Sequence, residues 1–326
     1  MDPPFAPPFF LSNPHVMTLL PRKWPRGQIL HEVPQETRLF RIDQETQVLT
    51  VCNWQTRRQH HPTLLLVHGL EGCSESHYMK GLAHKAWHAG MNVLRMNQRN
   101  CGGTEHLTPT LYNSGLSGDL RTILTELVNE DGLESIWVVG YSMGGNLTLR
   151  MAGELGHSLS ALKGIGAICP NIHPAACVEA LERPRNFIYH NFFLSSLKTR
   201  LVRKAKHFPG KFDLSPYPHI KTLSAFDDVY TAPFGGYKDA ADYYERVGAR
   251  HLVHDIQVPT LIIVAQDDPF IPYHTFNIAP LQNNSHIQLV APNHGGHCGF
   301  FQKTVATEDR FWAENRILDF IVETKD

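Results

Sequence analysis

No apolar run in the 326-residue chain approaches the length of about 18 residues that a membrane-spanning helix needs. The opening residues, Met1-Asp2-Pro3-Pro4-Phe5, lack the basic and apolar regions of a secretory signal. Thirty Lys and Arg against 31 Asp and Glu leave a formal net charge of −1, which gives a nucleic acid nothing to bind. Cysteine is sparse. The six thiols (Cys52, Cys73, Cys101, Cys169, Cys177, Cys298) show no C-x-x-C spacing, and several sit in apolar runs. That pattern fits buried, reduced thiols rather than a disulfide framework. Internal repeats and low-complexity tracts are also missing. These absences predict a soluble, cytoplasmic protein without a stable membrane anchor. The 42% hydrophobic content is ample for a large core.

What the chain does have is alternation. Thr63–Val67 is a short continuous apolar run, as expected of a strand buried on both faces. A helix over 76–89 follows, then a strand at 92–97, a helix near 118–129, a strand at 135–139, a helix to about 154 and a strand at 162–169. The pattern predicts a mostly parallel sheet flanked by helices, with right-handed crossovers and a site at the strands' C-terminal edge. Ahead of it, 37–42 and 47–54 read as a hairpin. Residues 1–30, crowded with Pro and aromatics, are expected to form an irregular arm packed on the core, neither regular helix nor central strand. The core then covers 31–170, an insertion 171–254, and the rest of the core 255–326. The insertion is too long for a structureless loop. Its basic cluster, Lys198, Arg200, Arg203, Lys204 and Lys206, reads as a solvated helix face, with an acidic lipid surface or a carboxylate-bearing substrate as the alternative. The alternation resumes at 258–265 and 286–290 and closes with a helix near 308–323.

Gly140-Tyr141-Ser142-Met143-Gly144 lies between a strand and a helix. There G-x-S-x-G means a nucleophile elbow, its glycines removing Cβ atoms where strand and helix backbones converge. Ser142 is the candidate nucleophile, and the Met143 N–H at the helix start one candidate oxyanion donor. His68-Gly69-Leu70-Glu71-Gly72 ends the earlier strand and offers the Leu70 N–H as the second. Asp267-Asp268 ends the strand at 258–265, and His297 stands in the glycine-rich loop after the last strand. The order serine, acid, histidine is that of the α/β-hydrolase triad. Between the acids, Ala265-x-x-Asp268-x-x-x-Pro272 fits the usual frame and Pro269 restricts Asp268 to an extended conformation. Asp268 is therefore expected to hold the imidazole, and Asp267 to accept loop N–H groups.

His294-x-x-His297 beside the two acids could suggest a metal site, but this spacing lies in a glycine loop rather than on a helix, and no third ligand is evident. Cys298 reads as a packed thiol.

Beyond these motifs the chain resembles the YheT-like group of α/β-hydrolases, candidate carboxylic-ester hydrolases related to eukaryotic membrane-anchored lipases. The resemblance rests on Asn13-Pro14-His15 with Thr18 and Pro21, His68-Gly69-Leu70-Glu71-Gly72, Asn97-x-Arg99, Cys101-Gly102-Gly103, Gly140 to Asn146, Asp267-Asp268-Pro269-Phe270, and Gly295-Gly296-His297-x-Gly299-Phe300. It implies an eight-stranded α/β-hydrolase fold whose insertion is a lid, and a serine esterase that uses no cofactor and no metal on a small-molecule ester with an apolar acyl group. Asn100 stands where the group usually has glycine. An acyltransferase, thioesterase or amidase would use the same triad, and a catalytically silent binding module is the remaining alternative.

Overall fold

The apolar runs become the middle of one sheet. A computed structural model describes residues 4–26, 30, 32–304 and 308–324; residues 1–3 and 27–29 of the expected arm lie outside the described residues. The strands are β1 (Glu36–Arg41), β2 (Gln47–Asn53), β3 (Thr63–Val67), β4 (Asn92–Met96), β5 (Ile136–Tyr141), β6 (Leu162–Ile168), β7 (Thr260–Ile263) and β8 (Ile287–Val290). They form an eight-stranded sheet in the order β1-β2-β4-β3-β5-β6-β7-β8. The β1–β2 hairpin and the β2–β4 pair are antiparallel, and every other pairing is parallel. Every residue of β3, β4 and β5 is buried, as strands covered on both faces require. Each such Val, Leu or Ile contributes about 1.5–3 kcal/mol of burial.

Helices cover the sheet. Helix α1 is Pro14–Lys23, α2 His77–His88, α3 Ser117–Asn129 and α4 Met143–Leu155. A closing helix, Trp312–Glu323, packs on α2, while α3 packs on α4.

The arm departs from the irregular path expected of it. Residues 14–23 form a ten-residue helix. Asn13 caps it, its side chain accepting from the His15 and Val16 N–H groups, and Pro14 occupies the first turn, where no N–H is needed. The Asn-Pro pair is thus a helix start rather than a breaker. Upstream, the Phe5 ring packs against Phe300 and Trp312 with centroids 5.8 and 5.4 Å away.

The insertion carries α5 (Pro174–Glu182), α6 (Phe187–His207) and a later helix, Ala240–Val247. Here the solvated-face reading fails for two of the five cations. Arg203 and Lys206 are exposed, and Lys198 is half-buried with its Nζ donating to the Ile220 carbonyl. Arg200 and Lys204 point inward, with 6% and 0% of their surface exposed. Arg200 forms a bidentate pair with Glu71, at 2.9 Å on each oxygen, and also donates to the Asn100 carbonyl. Lys204 donates to the Asn100 side-chain oxygen and to the Glu105 and Thr108 carbonyls. Burial lowers its ammonium to about 7. The signal was present: Leu194, Leu197, Leu201 and Lys204 recur at helical spacing, so Lys204 sits in register with a buried stripe.

Arg200→Met is expected to leave the Glu71 carboxylate buried without its cation. Stability should fall by roughly 3–5 kcal/mol, read from the urea midpoint. Adding Glu71→Leu to that variant should recover part of the loss.

Candidate active site

The site begins with a backbone pinch between β5 and α4. Ser142 caps α4 at φ 54° and ψ −118°, a conformation that non-glycine residues rarely adopt and that costs about 1–3 kcal/mol. Its neighbours must lack side chains. A Cβ on Gly144 would lie 2.4 Å from the Val67 carbonyl oxygen, and one on Gly140 2.2 Å from the Gly144 oxygen. The turn sets Ser142 at the start of α4, so the first helical amide, Met143 N–H, has no partner within the helix.

The 68–72 loop lies directly against the serine, since a Cβ on Gly69 would stand 3.0 Å from the Ser142 Cβ. His68 has no surface exposure and braces the loop. Its Nε2 accepts from the Gln98 N–H at 3.0 Å, so Nδ1 carries the proton and donates to the Gly69 carbonyl at 2.7 Å. Burial depresses this imidazole to about 4, which keeps it neutral. Glu71, at φ 57°, donates its N–H to the Tyr112 hydroxyl at 3.1 Å and accepts from the Tyr112 O–H on Oε1 at 2.6 Å. With the Arg200 pair, Leu70 is therefore held between an internal histidine and a cation from the insertion. Motif reading points to Leu70 but not to Glu71, Tyr112 and Arg200, which brace its loop.

Asp268 and His297 meet. The Asp268 Oδ2 accepts from His297 Nδ1 at 2.7 Å, while its Oδ1 accepts the Phe270 and Ile271 N–H groups at 3.0 and 2.9 Å. The aspartate side chain is fully buried. Burial alone would lower the His297 pKa, yet the carboxylate outweighs it and the imidazole is raised above its ordinary value. The Phe270 ring packs on the imidazole with centroids 4.1 Å apart. Asp267 turns to the loop instead. It accepts the Gly296 N–H at 2.9 Å and His294 Nδ1 at 3.1 Å.

The His297 loop is also gripped from the arm. The Thr18 hydroxyl accepts the His297 N–H at 2.9 Å and donates to the Pro14 carbonyl at 2.7 Å. A Cβ on Gly299 would lie 2.2 Å from the Met17 carbonyl oxygen, so α1 and the loop touch backbone to backbone. From below, the Cys169 sulfur accepts the Cys298 N–H at 3.3 Å. Cys169, His297 and Cys298 are the described residues whose ligand atoms gather tightly enough, within 4.8 Å, to suggest a metal. Two of these groups already bond within the fold, Cys298 donating to the Ile168 carbonyl and the Cys169 sulfur accepting the Cys298 N–H. His294 and His297 each face a separate aspartate rather than a common point.

Two cavities meet at Ser142. One is lined by Leu70, Ser142 and Met143 together with Leu181, Phe193, Leu197 and Leu223; Asp227 and Tyr244 add a polar spot. The other, wider, is lined by Ser142, His297, Leu70, Tyr78, Leu19, Arg22, Ile188 and Phe192. The site therefore has a mostly apolar chamber on one side of the serine and a wider, more polar one on the other.

Comparison with known proteins agrees with this architecture. A family model described as the alpha/beta hydrolase fold matches residues 62–304. YheT of Escherichia coli (strain K12), named as a candidate esterase, is 32% identical over 319 residues, covering 97% of this chain and 92% of its own. Phospholipase ABHD3 of Mus musculus is 30% identical over 242 residues, 74% of this chain and 59% of that protein. Among solved structures, the Pyrococcus furiosus esterase Pf2001 superposes with a TM-score of 0.59 at 16% identity, covering 98% of this chain and 100% of its own. The 2,6-dihydroxy-pseudo-oxynicotine hydrolase gives 0.60 at 16% identity, over 89% of this chain and 69% of that one. At such identities the structural likeness speaks for the fold alone. The family match and the near-full-length YheT relationship speak for descent, and on them the chain belongs to the alpha/beta hydrolases.

Proposed function

We propose that this hydrolase cleaves carboxylic esters through an acyl-enzyme, with Ser142 as nucleophile, His297 as general base and Asp268 as its orienting acid. The observation that carries the reading is the buried Asp268–His297 hydrogen bond of 2.7 Å on a histidine that shares a cavity with the strained Ser142. Ser142 Oγ attacks the ester carbonyl carbon as His297 Nε2 takes its proton. The oxyanion is held by the Leu70 and Met143 N–H groups, each worth about 3–4 kcal/mol in comparable sites. His297 then protonates the leaving alcohol, and water repeats the cycle to release the acid. None of these steps calls on a cofactor or metal.

The mostly apolar chamber suits the acyl group, and the wider one the alcohol. Residues 171–254 act as the lid of the acyl chamber, through Phe193, Leu197 and Leu223 on its wall. The apolar lining of this chamber favours medium acyl chains over acetyl. Six free cysteines fit a reducing, cytoplasmic setting.

A panel of p-nitrophenyl esters of graded acyl length, assayed with EDTA present, tests the reading. Turnover should peak at medium length, and Ser142→Ala should lose all but a trace of activity, and all fluorophosphonate labelling, while its thermal midpoint holds. An alanine variant with half the wild-type rate would exclude the mechanism.

The two aspartates should separate sharply. Asp268→Asn is expected to lower kcat by about three to four orders of magnitude. Asp267→Asn keeps an oxygen to accept the Gly296 N–H and should cost about tenfold or less. The reverse ranking would transfer the orienting role to Asp267.

The pH profile tests the same pair. A general base must be neutral, and the Asp268 carboxylate favours the charged imidazole, so kcat/KM should climb with pH through a His297 pKa above its ordinary value. In Asp268→Asn the carboxylate is gone and burial remains, so the residual activity should have its acid limb at lower pH. An unmoved limb would show that another group titrates.

A further inference from the structure

The mouth of the wider cavity is rimmed by side chains that a water-facing surface does not need. Among the described residues nine large apolar side chains are exposed, and five of them belong to α1 and the start of α6. Val16 and Leu19 come from α1, at 41% and 39% exposure. Phe187, Ile188 and Phe192 come from α6, at 64%, 70% and 45%. Leu19, Ile188 and Phe192 line the same cavity as Ser142 and His297, so the exposed patch is continuous with the reaction chamber. The two helices are tied together here, His15 stacking on Tyr189 at 5.7 Å and the Arg22 guanidinium lying 5.5 Å over the Phe192 ring. Each helix buries its opposite face, α1 through Met17, Thr18 and Pro21, and α6 through Leu194, Leu197 and Leu201. The exposed apolar side chains are therefore surplus to folding, and contiguous patches of this kind mark contact surfaces.

Three cations flank the patch. Arg22 and Lys23 end α1, and Arg185 precedes Phe187; all three are exposed, and none enters an ion pair among the described residues. The two acids on the cavity wall are already paired, Glu71 with Arg200 at 2.9 Å and Glu75 with Arg95 at 2.9 Å and Lys80 at 3.6 Å. Apolar side chains beside uncompensated cations are what binding in an anionic lipid interface requires: rings and aliphatic groups enter the acyl boundary while the cations stay at headgroup level.

We propose that the α1–α6 rim docks on the surface of an anionic lipid assembly, so that substrate enters the wider cavity from the lipid phase. The entry of an ester rests on the function proposed above, but the docking does not. The rim places its apolar groups around the opening itself, and a lipid ester presents its carbonyl just below the headgroups, at the depth such side chains reach.

Vesicle co-sedimentation of the full chain carrying Ser142→Ala, which leaves lipid uncleaved, tests the docking directly. The protein should sediment with vesicles of phosphatidylcholine plus phosphatidylglycerol at least about tenfold more strongly than with phosphatidylcholine alone. Phe187→Ser with Ile188→Ser, both largely solvent-exposed, should weaken that partitioning by about tenfold or more with an unchanged thermal midpoint. Arg22→Gln with Lys23→Gln and Arg185→Gln should remove the preference for the anionic vesicles. Protein that stays in the supernatant with both vesicles would overturn the proposal, as would equal binding by the Phe187/Ile188 variant. Self-association that this variant abolishes, without vesicle binding, would assign the rim to a second copy and overturn it too. Turnover of a soluble p-nitrophenyl ester by the unmodified chain reports separately on the esterase chemistry, so the two readings can fail independently.

Discussion

A histidine proposed to act as a base from a loop has no ladder of strand hydrogen bonds to hold it. The structure answers that constraint with grips from four directions. Asp268 takes the imidazole Nδ1, Asp267 takes the Gly296 N–H, Thr18 takes the His297 N–H, and Cys169 takes the Cys298 N–H. Each is an ordinary hydrogen bond, worth about 0.5–1.5 kcal/mol net when neutral and more when charged. Their value lies in direction. A ring fixed at Nδ1 by a carboxylate, and at its own backbone by two elements, can turn only a little, and an ångström of misplacement is costly in a reaction of this kind.

This constraint explains why the chain spends its first residues on α1. Without the helix, Thr18 has no fixed position and the loop glycines lose the backbone they pack against. Gly296 and Gly299 are small because Pro14, Met17 and Thr18 come so close. The arm is thus part of the site's scaffold, although no atom of α1 belongs to the proposed triad. The same logic governs the other side of the serine. There Arg200, on a helix of the insertion, holds Glu71 and so fixes the loop bearing Leu70. The wall of the proposed acyl chamber and the support of the proposed oxyanion hole are one helix. Opening that wall by moving α6 would disturb the Leu70 amide at the same time.

The legible and illegible parts of the sequence divide along this line. Ser142, Asp268, His297 and the sheet could be read because each is written in local pattern: strand runs, a glycine pinch, an acid at a strand end. The preference for Asp268 over Asp267 rested on spacing and on Pro269, and in the structure Asp268 is the acid that faces His297. What stayed hidden is long-range. Thr18 meets His297 across 279 positions of chain, and Arg200 meets Glu71 across 129. No local period encodes such partners. The basic cluster misled because composition does not say which way a helix is turned, whereas the stripe through Leu194, Leu197, Leu201 and Lys204 does. The arm reads as irregular because proline counts as a breaker by composition, whereas after Asn13 it starts a helix.

Asn100 shows how a departure from pattern can be absorbed. At φ 68° it adopts the left-handed conformation that glycine takes without strain, and asparagine is among the residues that tolerate it best. Its side chain then becomes useful in a way glycine's could not. The Oδ1 receives Lys204, the Nδ2 donates to the Thr110 carbonyl at 3.0 Å, and the backbone carbonyl receives Arg200. The small backbone cost of the asparagine is set against satisfaction of a fully buried ammonium, whose desolvation would otherwise be the larger penalty. Asn100 and Lys204 therefore make sense only together. A glycine at 100 would relax the turn but remove one of three acceptors from a lysine that has no access to water, and the junction between insertion and core would weaken there first.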